Sequence, residues 1–530
     1  MVTQTGAIPE AGRDAGSVHT HLLNLDRPFY LVRDEHGIAA AGSAEQVPGA
    51  QVLAAVPPLP SRALGDKQFL TAHGVGQPYM AGSMANGIAS AKMVIALAER
   101  GFLASYGAAG VVAQRVEEDL AHIRANLRDR PFACNLIHSP SEPAMERSTV
   151  DLCLRHEVRT IEASAFLDLT PQVVRYRLAG LVREADGKIV ARNKVIAKVS
   201  RAEVAEKFLC PAPEAMVRDL LASAAITAEQ AEWSRRIPVA DDVTAEADSG
   251  GHTDRRPLVV LLPEIIAVRD RVQRELGYEW QVRVGAAGGI GTPDAAAAAF
   301  ALGAAYVVTG SINQATVEAA QSWETKRLLA SAGVNDCDMA PSADMFEMGV
   351  EVQVLKRGTM FATKAKRLYD AYRAYDGIES IPATERAGLE KRIFQRPLED
   401  VWQDCVEFFR ERDPGQISRA QDNPKRRMAL IFRWYLGRSS GWSISGAEGR
   451  GADYQVWCGP AMGAFNNWVG GTYLAAVENR HAAELATHLM RGAAFRSRVT
   501  QLRLAGARLP ARACSYVPAP LESGAGRNHE

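Results

Sequence analysis

From about residue 76 onward, short apolar runs alternate with helix-length segments whose apolar positions recur every three or four residues. That rhythm predicts parallel α/β structure, because strands buried on both faces are apolar throughout and each needs a crossover helix before the next. Strands are expected at 78–82, 101–105, 131–137, 159–164, 194–200, 242–247, 281–287 and 305–310. Helices are expected between them at 88–100, 112–126, 148–158, 171–183, 201–209, 258–276 and 293–302. Eight repeats over about 240 residues match the size and rhythm of a TIM (β/α)8 barrel. An open doubly wound sheet would want G-x-G-x-x-G after its first strand, whereas the first strand here runs into Gly82-Ser83-Met84-Ala85-Asn86-Gly87.

Outside the barrel, taken as residues 67–339, the pattern changes. Residues 1–20 lack periodicity and are expected to form a disordered tail. Residues 21–66 form a small β appendage, with two strands around Glu35-His36-Gly37, followed by a Pro-rich linker. Helix-period stripes such as Phe361, Ala365, Leu368, Tyr372 and Val401, Trp402, Cys405, Phe408, Phe409 make residues 340–455 a large α-helical insertion. It separates strand eight from the closing barrel helices expected in 456–505, with 458–474 as the closing helix and 506–530 as a C-terminal tail.

Composition narrows the function classes. At 530 residues the chain is too long for one ordinary core, which agrees with a barrel carrying an insertion. Lys plus Arg and Asp plus Glu are 61 each, so no global field argues for nucleic acid or an anionic membrane. The seven cysteines are scattered and never spaced as C-x-x-C, against both a disulfide framework and a zinc site; no metal is expected. With no apolar run long enough to span a bilayer and no signal-like N-terminus, a cytoplasmic location is expected.

Candidate chemistry gathers at the C-terminal ends of the strands, where barrels build their active sites and bind phosphate after strands seven and eight. Gly288 and Gly289 follow strand seven and precede a Pro-started helix; Gly310 and Ser311 follow strand eight. Small residues there let backbone and a helix N-terminus approach an anion. Either turn alone is as well explained by tight strand-to-helix packing, but two in succession point to a bound phosphate. His252, in the Gly250-Gly251-His252 turn after strand six, supplies a proton donor near neutral pH; the plainer reading is a cap with an incidental histidine. Asn135 ends strand three with an amide suited to a ring edge such as a flavin's. Lys198 lies in an apolar strand, either reaching an anion or pairing with a carboxylate, for which Glu162 is a candidate.

Together PYMAGSMANGIAS (78–90), ACNLIHSP (133–140), VTAEADSGGHTDRRPL (243–258), AAGGIGTPDAAAAAFALGAAYVVTGSINQ (286–314), MGVEVQVLKRGTMFA (348–362) and QVWCGPAMGAFNNW (455–468) strongly resemble the PfaD family. These are trans-acting enoyl reductases of polyketide and polyunsaturated fatty acid synthases, related to flavin enoyl-acyl-carrier-protein reductases and nitronate monooxygenases. The resemblance implies an FMN-binding barrel that takes hydride from NADPH or NADH and reduces α,β-unsaturated thioesters on acyl carrier protein domains. It implies that Ala81, Gly82 and Ser83 line the isoalloxazine, that Asn135 bonds it, and that Gly251 passes close to it. Gly288, Gly289, Gly310 and Ser311 would hold the phosphate, and His252 matches the family's active-site histidine; Lys198 is the second catalytic candidate from its place in an apolar strand, as partner to an anion such as reduced flavin or an enolate. One position departs from the pattern: Ala245 stands where nitronate monooxygenases typically carry Gln, which weakens the monooxygenase reading. A flavin oxidase of that kind and a non-catalytic synthase scaffold remain the alternatives. Residues 415–438 hold six Arg or Lys against one Asp, interleaved with Phe432, Trp434 and Tyr435, so this stretch is either a carrier-protein docking helix or an ordinary solvated one. A homodimer is compatible with this reading.

Overall fold

A computed structural model describes residues 10–139 and 143–521, the side chains of Glu411 and Arg412 aside. Eight parallel strands close into a barrel: β1 (Tyr79–Ala81), β2 (Leu103–Tyr106), β3 (Ala133–Ile137), β4 (Thr160–Ser164), β5 (Lys194–Val199), β6 (Asp242–Glu246), β7 (Arg283–Ala287) and β8 (Val307–Thr309). β8 pairs with β1, so the sheet has no free edge. All eight expected strands are present because each is an apolar run punctuated by turn residues, and their buried faces alternate between barrel interior and helix layer. The expected helix at 171–183 stops at Ala179, where Leu181–Arg183 and Ile189–Ala191 form a hairpin instead. The residue after the helix is Gly180, where a Cβ would lie 2.5 Å from the Asn193 side chain.

Helix Lys67–His73 plugs the bottom of the barrel. Phe69 stacks on Tyr306 with centroids 4.2 Å apart, and His73 Nε2 donates to Asp242 at 2.7 Å. Arg283 donates to both oxygens of Asp242, at 2.6 and 2.8 Å. Burial alone would raise the Asp242 carboxyl, but Arg283 and His73 hold it far below the usual range. Asp242→Asn should therefore destabilise the fold by about 3–5 kcal/mol, since it leaves Arg283 buried without a counter-charge. A thermal midpoint within about 1 °C of the parent would refute this. The depressed carboxyl contributes its stability above the unfolded value of about 4 and loses it only as pH falls through its lower folded value.

Three expectations about the periphery change. Within the expected tail 1–20, residues 1–9 lie outside the described residues, but Ala15–Leu23 is a helix whose N-cap, Asp14, accepts from Gly16 and Ser17 N–H at 2.7 and 3.0 Å. The appendage has three strands, Phe29–Asp34 flanked by Gly37–Ala41 and Gln51–Val56. Buried Arg498 fastens it to the barrel by donating to Leu22, Asn24 and Arg27 carbonyls. The C-terminal stretch is not a free tail as far as residue 521, since His19 Nδ1 donates to Ala513 O at 3.0 Å.

The closing barrel helix is Ala482–Leu504 rather than 458–474. It packs against Pro293–Ala301, where Gly492 meets Pro293 so closely that a Cβ would lie 2.5 Å from the ring. The insertion is not wholly helical. It opens with an antiparallel hairpin, Cys337–Pro341 and Glu351–Leu355, which the Gly251–His252 turn joins as a third strand. Helices from Phe361 to Ser445 follow. No helix among the described residues is long and apolar enough to cross a membrane.

Candidate active site

One cavity of about 1540 Å³ opens at the C-terminal mouth of the barrel. Gly288, Gly289, Gly310 and Ser311 meet in its wall, as the sequence led us to expect. Gly288 and Gly289 are both left-handed, with φ of +86° and +71°, a turn that other residues adopt at a penalty. At Gly288 a Cβ would sit 2.5 Å from the Ala247 carbonyl oxygen, so the loop after β7 lies directly on that after β6. At Gly289 and Gly310 a Cβ would meet nothing within 4 Å, so both positions face open space that a ligand can use. Asn313 fixes the second turn by donating to the Thr309 carbonyl at 3.1 Å and hydroxyl at 3.0 Å, while Ser311 Oγ accepts from Gly459 N–H at 3.2 Å.

Loop one crosses the mouth under similar restraint. Gly82 N–H donates to Thr309 O at 3.0 Å, and Ser83 N–H donates to Glu162 Oε2 at 2.8 Å. Gly82 and Ser83 line the cavity; Ala81, at 1% exposure, does not. Asn135 is also walled off, its amide nitrogen donating to Glu162 O at 3.1 Å and Ser164 Oγ at 2.8 Å. Strand alternation aims it inward, as expected, but β4 takes its donor. Lys198 does reach the cavity, with Glu246 at 3.2 Å and Glu162 at 3.9 Å. Burial disfavours its charge, yet the two carboxylates raise its pKa above that of an ordinary lysine. Its anion partners are thus supplied by the protein itself.

Gly251, with φ +85°, turns the chain so that His252 faces the cavity with its side chain 34% exposed. His252 Nε2 lies 3.2 Å from Asp344 Oδ1 and 3.1 Å from Ser342 Oγ, and Ser342 also donates to Asp344. Burial disfavours the charged ring, but the hydrogen bond and charge of Asp344, helped by Glu246, outweigh it and raise the histidine's pKa. Asp344 is itself held at about 2, against burial, by the same contact. Nδ1 has no hydrogen-bond partner among the described residues, so one ring nitrogen is oriented and the other is available.

Asp344, Ser342 and Glu246 were not anticipated from sequence. Glu246 was legible, since it shares the inward face of β6 with Asp242 and Thr244. Asp344 and Ser342 were hidden in a stretch read as helical, and only the Pro341-Ser342-Ala343-Asp344 turn signal marked them.

Much of the basic stretch is paired within the protein, although Arg438 stays exposed at the cavity. Arg427 pairs with Glu399 at 2.6 Å, Arg433 with Glu347 at 3.3 Å and Arg419 with Asp413 at 3.3 Å, while Phe432 and Tyr435 are buried. Helix Pro424–Ser445 instead turns residues such as Leu430, Trp434 and Ile444 toward the cavity.

The family model described as nitronate monooxygenase matches residues 67–365, and one described as the inserted helical domain of [acyl-carrier-protein] S-malonyltransferase matches residues 375–454. The chain is 48% identical over 498 residues to a polyunsaturated fatty acid synthase component of Thraustochytrium sp., covering 91% of this chain and 33% of that protein. It is 45% identical over 431 residues to polyketide biosynthesis protein PksE of Bacillus subtilis, covering 81% of this chain and 56% of that one. It therefore spans about a third to just over half of these relatives. The crystal structure of the enoyl reductase domain of MlnA, from the macrolactin cluster of Bacillus amyloliquefaciens, matches with a TM-score of 0.81 and 38% identity, over 84% of this chain and 100% of that one. The chain thus belongs to the nitronate monooxygenase family, in the branch it shares with components of polyketide and polyunsaturated fatty acid synthases.

Proposed function

We propose that the chain is an FMN-dependent enoyl reductase acting in trans on α,β-unsaturated thioesters carried by acyl carrier protein domains, with NADPH or NADH as donor. The observation that carries this reading is the joining, in one cavity, of two open glycine turns with a histidine held by a carboxylate. The similarity to the MlnA enoyl reductase domain, and the synthase names of the other relatives, support it.

The residues present fit a phosphate-bearing flavin. Gly289 and Gly310 leave unfilled space beside backbone at the ends of β7 and β8, and the cavity exceeds the ~300–1,000 Å³ of a typical single-ligand site. In this reading Gly288, Gly289, Gly310 and Ser311 hold the phosphate, while Gly82, Ser83 and Gly251 border the ring. Held there, FMN would supply the hydride chemistry that links the nicotinamide donor to the β-carbon. His252, fixed at Nε2 by Asp344, gives the proton on Nδ1 to the α-carbon, so the double bond gains one hydride and one proton. Lys198 acts as a positioning residue that keeps Glu246 and Glu162 at the mouth.

Purified protein with FMN, NADPH and a crotonyl-loaded carrier protein should oxidise NADPH and yield the saturated thioester, read by mass spectrometry. Absence of turnover across several enoyl carriers would overturn the proposal, and oxygen uptake on nitroalkanes without NADPH would point to the monooxygenase activity instead.

A further inference from the structure

Two of the seven cysteines meet where the hairpin, the His252 turn and the turn after β8 join. Cys337 Sγ lies 3.9 Å from Cys458 Sγ, although 121 residues separate them. Cys337 opens the hairpin strand Cys337–Pro341, whose far end leads into Ser342 and Asp344. Cys458 ends a segment that runs along the other hairpin strand: Leu355 N–H donates to Val456 O at 2.8 Å, and Cys458 N–H donates to Gln353 O at 3.4 Å. Gln353 is also the residue opposite Gly251. Cys458 has little room. At Gly250 a Cβ would lie 2.8 Å from Cys458 N, and the next residue, Gly459, donates its N–H to Ser311 Oγ at 3.2 Å. Cys458 is fully buried, whereas Cys337 is partly exposed. The S–H of Cys458 favours a thiolate on Cys337, with Lys356 helping and burial, Asp248 and Asp336 opposing, and the Cys337 pKa is lowered on balance. The accessible sulfur is therefore the nucleophilic one, and the buried sulfur stands behind it. Cys134 and Cys153 also interact, but both are buried.

We propose that Cys337 and Cys458 form an oxidation-sensitive latch: hydrogen peroxide joins them in a disulfide, and the bond displaces the backbone beside Ser311 and weakens the flavin-phosphate site. The weakening rests on the FMN reading above; formation of the bond does not. The Cys337 thiolate attacks one peroxide oxygen, the O–O bond breaks, and the departing hydroxide becomes water, leaving a sulfenic acid. The Cys458 sulfur gives up its proton, attacks the sulfenic sulfur and expels its oxygen as a second water. Two thiols and one hydrogen peroxide thus give one disulfide and two waters. Dithiothreitol returns both thiols as it closes into its own cyclic disulfide. A disulfide holds its sulfurs about 2.05 Å apart, so the pair must close by about 1.9 Å. Cys458 is wedged against Gly250 and tied through Gly459 to Ser311, so the displacement passes to residues that border the phosphate site.

The test treats the reduced full chain with hydrogen peroxide, alkylates the remaining thiols and maps the digested peptides by mass spectrometry, which separates this pair from Cys210, another partly exposed thiol. A linked pair of peptides carrying Cys337 and Cys458 is expected, and dithiothreitol should remove it. Cys458→Ser should instead leave Cys337 as a sulfenic or sulfinic acid. The linked protein should bind FMN at least about tenfold more weakly than the reduced protein, with recovery in dithiothreitol. Peroxide should leave the FMN affinity of Cys337→Ser unchanged. Absence of the link overturns the latch. The link without a fall in FMN affinity, or the same fall in Cys337→Ser, overturns its control of the site. If the reduced parent binds no FMN, the flavin reading fails and this control with it, while the mapped link is judged on its own.

Discussion

His252→Ala should lower enoyl reduction by about 10²–10⁴-fold while leaving the flavin bound, because it removes a general acid and touches neither phosphate turn. Stopped-flow separates the two halves of the reaction. Flavin reduction by NADPH should be preserved, and reoxidation by enoyl thioester should be slow; a loss below about tenfold in that second step removes His252 from proton transfer. The pH dependence gives an independent check. His252 is raised above the ordinary value of about 6.5 by Asp344 and Glu246, against burial and Lys198. The competent, protonated ring is therefore present below its raised value, and activity should fall as pH rises through it. Asp344→Asn should move that descending limb to lower pH, whereas a purely structural role for Asp344 would lower the rate without moving it. The stability that the His252–Asp344 pair contributes has the same sign, fully present below the unfolded histidine value and lost as pH rises through the folded one.

On the proposed reading, Gly288→Ala and Gly310→Ala should both weaken FMN binding, but for different reasons. Gly288 has φ +86° and a Cβ there would press on the Ala247 carbonyl at 2.5 Å, so the loop must shift even before a ligand arrives. Both flavin affinity and thermal midpoint should drop, the latter by the equivalent of about 1–3 kcal/mol of strain. Gly310 has φ −123° and open space at its Cβ position, so the substitution fits the protein itself and obstructs only what binds there. Its midpoint without flavin should match the parent while Kd for FMN rises at least about 100-fold, the loss of close backbone approach to a phosphate. If FMN binds Gly310→Ala as it binds the parent, the phosphate does not lie on this turn.

Much of the barrel could be read from sequence because its signals are local. An apolar run ending in Gly declares a buried parallel strand, as before Gly82, Gly288 and Gly310, whereas Lys194–Val199 passes through Ser200-Arg201 straight into its helix and was legible from its length and apolar character. The glycine turns were legible for the same reason, since Gly288 and Gly289 serve a local left-handed bend. Asn135 and Lys198 show where such reading runs out. The sequence left Lys198 either reaching an anion or pairing with a carboxylate, because which group meets a strand side chain depends on the neighbouring strand, here Ser164 for Asn135 and Glu246 for Lys198. His252 and Asp344 are 92 residues apart, and their meeting depends on a hairpin whose short strands resemble the start of a helix in composition. Likewise the charges of the helix Pro424–Ser445 looked available until packing supplied Glu399 and Glu347.

The placement of the closing helix Ala482–Leu504 bears on how the protein assembles. The barrel's own seven preceding helices are complete by Ala301, yet the gap beside Pro293–Ala301 and Ala91–Glu99 is filled only by residues made some 180 positions later. During synthesis the nascent barrel therefore presents an open seam while the entire inserted region emerges, and contacts of such long sequence separation form slowly. Phe361, Leu368 and Phe432 of the inserted region belong to the same continuous apolar core as the barrel strands, so its packing is completed with the barrel's. Asp344 reaches His252 through the pairing of Glu351–Leu355 with Gly251–His252, whereas the wall of the cavity opposite is complete only when the later helices have packed.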